Sequence, residues 1–557
     1  MRNLTLGITA AILSGMSLGG CGQDVDDGRR VESLDARGQL IRLSVDLRGR
    51  HPSEEELRFM EDAADIGPQR YDAAYEAYAD RWIAEDAFVD RMVEVFDQRL
   101  LFQTGDVYFD PMEVGLEIDD QVMAEMISNE PLQLLRYVIN NELPYSYMVT
   151  AEHSMANPEL ALYWGMEYPD DGKGGWEPSQ YVDGRPHAGL LTMTTTWQRY
   201  PSMGGNANRH RANAISKIFL CDDYLSRPIV LNRAAVDQLT IDPENAIGQN
   251  QSCQSCHSTL DPIAANFFGF FNYDAEDGID QTMYRPENEE EWRGYAGKEP
   301  GYYGTPTANI GEFAQALASD ARFSQCAVRT VWEGLTQRSL VDEDWEELAP
   351  HREAFESNNL NVRELVRSII LSEEYRAAKA IDPGLQERLA GVKTASPSQL
   401  AGIIGDITGY KWFFNGREAL TDNAEGIAVL AGGTDGRYVT NRSYIPSVGS
   451  TFVLERYAQA AAHNVAEHDL DPNREGSAKL LYFVTVEDTP DNNPEAFEEQ
   501  IRFLFLTATG RPLADDATEP QELTDLWRYV YSVEASPVTA WSAVLSATLR
   551  DPAVLFY

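Results

Sequence analysis

The pentapeptide Cys253-Gln254-Ser255-Cys256-His257 constrains this chain more than any other feature. It is the pattern of c-type haem attachment. On a helix, thiols three positions apart stand about one turn from each other, so they can add to the two vinyl groups of a haem. The adjoining imidazole is then held beneath the iron as its proximal ligand. The pattern predicts one covalent haem c on Cys253, Cys256 and His257. Two alternatives stay open. A Cys-x-x-Cys redox disulfide needs a thioredoxin-like strand–helix setting, and the preceding Ile247-Gly248-Gln249-Asn250-Gln251-Ser252 is too polar for a core strand. A structural zinc site needs two further ligands at metal spacing, and no second Cys-x-x-Cys accompanies the first.

Covalent haem attachment takes place outside the cytoplasm, and the N-terminus points the same way. Arg2 precedes an uncharged apolar run that ends near Leu18. Residues 1–20 read as a secretory signal, and Leu18-Gly19-Gly20-Cys21 resembles a lipobox, in which Cys21 takes the lipid and becomes the mature N-terminus. An ordinary cleaved signal with a spare thiol is the alternative. Residues 21–35 are polar and read as a flexible tether. Lipid chains hold such a protein at a membrane while its body stays in water. Gly22 is no acidic retention signal, so the expected address is the outer membrane, reached by secretion across the inner one. Beyond the first twenty residues there is no apolar run of about eighteen, which excludes a polytopic membrane protein. Forty-five Lys and Arg against 89 Asp and Glu give a net charge of −44. That surface repels nucleic acid and anionic headgroups, leaving lipidated Cys21 as the one membrane contact.

Cys221 and Cys326 remain. In an oxidising compartment a disulfide is the simplest account, closing a loop of roughly 105 residues around the haem motif; two buried free thiols are the alternative. Three stretches share an apolar helix, an Arg near a turn and an acidic helix: 43–52, with Leu47-Arg48-Gly49-Arg50-His51-Pro52; 328–338; and 505–512, with Gly510-Arg511-Pro512. They read as diverged copies of one helical unit. Ser53 with Glu56, and Thr518 with Gln521, predict capping boxes. In the Gly-Arg-Pro turn, Gly ends one helix and Pro opens the next, while the Arg residues serve as salt-bridging or carbonyl-capping groups. Residues 152–186 and 272–306 are rich in Gly, Pro, Asp, Tyr and Trp and predict ordered loops around the haem region, and 415–450 is also turn-rich. Residues 274–280 resemble a calcium loop without its terminal Glu. The expected fold is mainly α: a multi-domain helical protein with a loop-rich haem-binding segment. Its parts are an N-terminal helical domain (36–165), a cytochrome-like region (166–300), a following helical domain (301–385) and a C-terminal helical domain (386–557) that shows no chemical constellation.

From Gly189-Leu190-Leu191-Thr192, through Arg209-His210-Arg211-Ala212-Asn213 and Phe219-Leu220-Cys221, to the haem motif and Asp261-Pro262, the chain resembles planctomycete-type cytochrome c domains, also found in myxobacterial secreted proteins. Leu47-Arg48-Gly49-Arg50-His51-Pro52 looks like the domain that commonly precedes them, and Phe323-Ser324-Gln325-Cys326 with 335–340 like the one that follows. Phe267-Phe268-Gly269-Phe270-Phe271-Asn272-Tyr273-Asp274 fits the family's aromatic-acidic stretch. Leu335-Thr336-Gln337-Arg338 departs from it, since the family tends to place Gly before Arg. The resemblance spans 36–120 and 187–376. It implies Cys253, Cys256 and His257 as haem positions, favours a Cys221–Cys326 pair, and comes with flanking domains of unassigned function.

A second axial ligand sets potential and reactivity. Met283 and Met193 are first candidates, followed by Met203, His187 and His210, with packing as the ordinary role of a methionine. Arg209 and Arg211 are candidates to meet the haem propionates, with ordinary salt bridges as the alternative. Phe267, Phe268, Phe270 and Phe271 line either the haem pocket or a plain core. The expected function is single-electron transfer with an envelope redox partner. That chemistry needs no catalytic triad, and no nucleophile elbow, phosphate loop or metalloprotease helix occurs. The rival expectations are a haem-dependent oxidase or peroxidase on an extracellular substrate, and a helical docking scaffold with a structural haem.

Overall fold

A computed structural model describes residues 31–104, 111–202, 204–228, 250–271, 284–295, 298–340, 345–381, 389, 391–422 and 425–557. The signal segment, Cys21, Met203, Met283 and the calcium-like residues 274–280 lie outside the described residues. The fold is mainly α, and its strands form small two- and three-stranded sheets.

Helix Ala36–Arg48 begins where Asp35 accepts a hydrogen bond from Gly38 N at 2.6 Å, and it ends at Gly49 in the left-handed conformation. Helix Glu54–Ile66 follows on the capping box that Ser53 and Glu56 form. The other two repeated turns end alike. Gly510 is left-handed after helix Pro494–Thr509, and so is Gln337 after helix Ala321–Thr336. A non-glycine residue there carries a steric cost, which the Gln337 amide offsets by bonding both ways with Thr394: it accepts from Thr394 N at 2.8 Å and donates to Thr394 O at 2.9 Å. The third unit departs from expectation after its turn. Thr518 makes no side-chain cap on helix Glu519–Glu534, because its own backbone is already helical (φ −89°, ψ −19°), whereas a capping residue must be extended to aim its oxygen at the first turn.

The arginines of these turns bind protein groups. Arg48 donates to Glu56 at 3.0 Å and stacks on Trp82, while Arg511 meets Asp35 at 3.2 Å. Arg37 donates to the carbonyl of Gly510 at 2.9 Å, tying the first unit to the third. Helix Pro397–Thr408 approaches the first turn so closely that a Cβ on Gly402 would lie 2.3 Å from Gly49 O.

Two antiparallel closures organise the chain. Val31–Ser33 pairs with Ala377–Ala380, and Thr394 bridges to Phe556. In each, an extended segment just before a helix meets the chain that leaves a later one. One continuous apolar core fills the interior, drawing Leu43, Leu135, Ile215, Val331, Ile403 and Trp541 from all the expected domains. Where the closures approach each other, Lys393 and Asp46 form a fully buried ion pair. Tyr375 OH and Tyr557 OH also donate to the Asp46 carboxylate, at 2.5 and 2.8 Å.

Candidate haem-attachment site

Helix Gln251–Ala265 carries the pentapeptide. Asn250 starts it by accepting from Ser252 N at 2.9 Å. Leu260, Ile263, Ala264 and Ala265 are buried and set the helix on the protein body, where it packs against helix Arg209–Leu220. Cys253, Cys256 and His257 fall at spacings of three and four residues, hence on one helical face. Both thiols are free and partly exposed.

His257 is held from behind. Its Nδ1 lies 2.9 Å from Asp261 Oδ1, one helical turn on. Asp261 is 2% exposed, and Arg209 grips the same carboxylate from the neighbouring helix, Nε to Oδ1 at 2.7 Å and a terminal nitrogen to Oδ2 at 3.4 Å. Burial works against the Asp261 charge, but His257 and Arg209 outweigh it and hold the carboxyl below its ordinary range. A neutral His257 keeps its proton on Nδ1, toward the carboxylate, and leaves the Nε2 lone pair for a metal. Ligating histidines use this arrangement, in which the outer carboxylate fixes the ring and strengthens it as a donor. The residues present therefore fit a haem bound at Cys253, Cys256 and His257. Next to them, Tyr224 OH and Thr259 Oγ1 share a hydrogen bond of 2.9 Å, and Thr259 Oγ1 donates to Cys256 O at 3.1 Å, fastening the thiol-bearing turn to the segment after Cys221.

Cys221 and Cys326 are joined as a disulfide with Cα atoms 5.3 Å apart. Cys221 ends helix Arg209–Leu220 and Cys326 lies in helix Ala321–Thr336, so the bond anchors the helix that supplies Arg209.

The other candidates separate. Met193 is fully buried in the main core, His187 is half-buried and His210 is exposed. Arg209 is engaged by Asp261. Arg211 is buried and donates to Tyr200 O at 3.2 Å, Asn208 Oδ1 at 3.2 Å and Phe270 O at 3.0 Å. Arg211 is therefore a brace for carbonyls. The four phenylalanines are core: Phe267 packs tilted against Trp197, at 4.8 Å between ring centres, and all four are at most 2% exposed. Among the described residues, no group of three or more His, Cys, Asp and Glu side chains gathers into a metal cage. Sequence reasoning missed the role of Asp261, although the four-residue step from His257 puts the two on one helical face.

The chain matches no family model, no curated protein and no solved structure.

Proposed function

We propose that the chain is an extracytoplasmic, lipid-anchored c-type cytochrome with one haem, passing single electrons to a redox partner at the cell envelope. The observation that carries this reading is His257 fixed through Nδ1 by a buried, arginine-held carboxylate, on the helical face that also presents two free thiols. The haem, when bound, supplies a one-electron iron couple. The chain supplies everything else: two sulfurs for covalent anchorage, Nε2 of His257 as ligand, Asp261 to orient the ring, and Arg209 to moderate the carboxylate charge. The resemblance to planctomycete-type cytochrome c domains, the lipobox-like Cys21 and the Cys221–Cys326 bond support the same compartment and chemistry.

The test is expression with a haem-attachment system, followed by intact mass and peroxidase staining of the denatured chain. The expected result is one added haem, lost in Cys253→Ser/Cys256→Ser. An unmodified mass, or Cys253 bonded to Cys256, overturns the reading. The carboxylate behind His257 also suits a haem that activates a small ligand, since it raises ligand basicity. Carbon monoxide added to the reduced protein distinguishes the two: an immediate Soret shift favours catalysis over plain electron transfer.

A further inference from the structure

One apolar surface breaks with the acidic exterior. Helix Val448–Asp469 meets the core through Val453, Leu454, Tyr457 and Ala458. Val448 and Phe452 lie off that stripe, on a shared helical face one turn apart, and are 74% and 60% exposed. Ile445, just before the helix, is 79% exposed, and Leu430, which ends helix Ile427–Leu430, is 58% exposed. The two helices touch there, for a Cβ on Gly449 would lie 3.7 Å from a Leu430 methyl. The four side chains thus gather round the start of one helix, where the capping box of Ser447 and Ser450 fixes the backbone.

The charge around them is as unusual as the exposure. First turns of helices favour Asp and Glu, and this chain holds 89 of them, yet the first turn here has none. Across 426–454 the only charges are Asp435, Arg437 and Arg442, one negative against two positive. Asp435 accepts from the backbone N–H groups of Arg437, Tyr438 and Val439. Arg456 is exposed one turn beyond Phe452. Gathered apolar side chains on a water-facing body mark a contact surface.

We propose that this face rests on a lipid surface with zwitterionic headgroups, a second membrane contact beside lipidated Cys21. The inference builds on the lipid-anchored reading. Val31 follows Cys21 by ten positions, a reach of at most about 35 Å, against roughly 60 Å across a compact body of this length. An anchored body therefore stays at the surface, and its faces meet lipid at high effective concentration. Charge then selects. A net charge of −44 repels anionic headgroups and a second copy of the chain alike, whereas the face around Val448 carries no negative excess and neutral headgroups require no counter-charge. The four apolar side chains enter the boundary between headgroups and acyl chains, and Arg456 reaches the lipid phosphates along its stem.

The test is flotation of the disulfide-bonded Cys21→Ser chain, full length after the signal, with vesicles of phosphatidylcholine and phosphatidylethanolamine. The expected result is saturable binding that survives salt and weakens when phosphatidylglycerol is added. Val448→Ser/Phe452→Ser, at exposed positions that leave the circular dichroism unchanged, is expected to weaken it about tenfold or more. Val182→Ser, 68% exposed elsewhere in the chain, leaves it unchanged. No flotation at millimolar lipid overturns the proposal, as does binding that the double variant leaves untouched. A lipid-free dimer in sedimentation velocity that the double variant dissolves also overturns it and gives the face to a second copy. The mass of the native protein keeps the two readings apart: an unlipidated Cys21 removes the anchor, while flotation of the Cys21→Ser chain reports on the face alone.

Discussion

Replacing Lys393 by Met tests the buried ion pair at the meeting of the two closures. Lys393 is 0% and Asp46 3% exposed, and they lie 347 residues apart in sequence. Methionine keeps the apolar stem and deletes the charge. The Asp46 carboxylate then loses its ion pair and keeps the phenols of Tyr375 and Tyr557 as donors, with Arg42 and Arg91 as the nearby charges. Breaking a buried pair from one side costs about 3–5 kcal/mol. Asp46→Asn is expected to cost a similar amount, since it strands the ammonium beside two aromatic rings 4.3 and 5.7 Å away. The double variant removes both members of the pair, so its cost is expected to fall short of the sum by about 2 kcal/mol or more. Burial lowers the Lys393 pKa while Asp46 pulls it back, so the assay belongs at about pH 6, where the amine keeps its proton. Urea unfolding of the oxidised protein, followed by tryptophan fluorescence and circular dichroism, reads the effect. A single-variant loss under about 1 kcal/mol, or additivity in the double variant, refutes the reasoning.

Other expectations concern charge and covalent ties. Neither nitrogen of His51 has a hydrogen-bond partner, and burial holds its pKa down to about 4. Between pH 6.5 and about 4 the unfolded chain takes up a proton there that the folded chain refuses. Stability is therefore full above that window and falls as pH falls through it, by up to about 3 kcal/mol; the pH dependence of the urea midpoint is expected to flatten in His51→Gln. Removing the disulfide as Cys221→Ser/Cys326→Ser frees a long loop and is expected to cost up to about 4.7 kcal/mol in the chain-entropy account, measured by urea unfolding. In the haem-loaded protein, Asp261→Asn is expected to raise the midpoint potential and Arg209→Gln to lower it. Shifts of the same sign in redox titration would show that the two act only as packing.

The features legible in the sequence were those written in neighbouring residues. Helix periodicity, the left-handed ends at Gly49 and Gly510, and the Ser53–Glu56 capping box depend on a few adjacent positions. The Cys221–Cys326 bond was reached by compartment and by counting. Gln337 stands where the resembled family tends to place Gly, but what supports its left-handed turn is Thr394, far along the chain and out of reach of local reading. Thr518 carried the right letters for a cap, but its helical backbone removed the geometry. The stretch 386–557 showed no chemistry alone, since Lys393 acquires meaning only beside Asp46.

Helix Arg209–Leu220 is a twelve-residue rod. It holds Arg209 against the carboxylate behind His257 and, about 12 Å along its axis, carries Lys217 paired with Asp223. Its far end is welded to another helix through sulfur. The sulfur bond therefore clamps the lever that steadies the imidazole, and a chain matured under reducing conditions would have it hinged at that end.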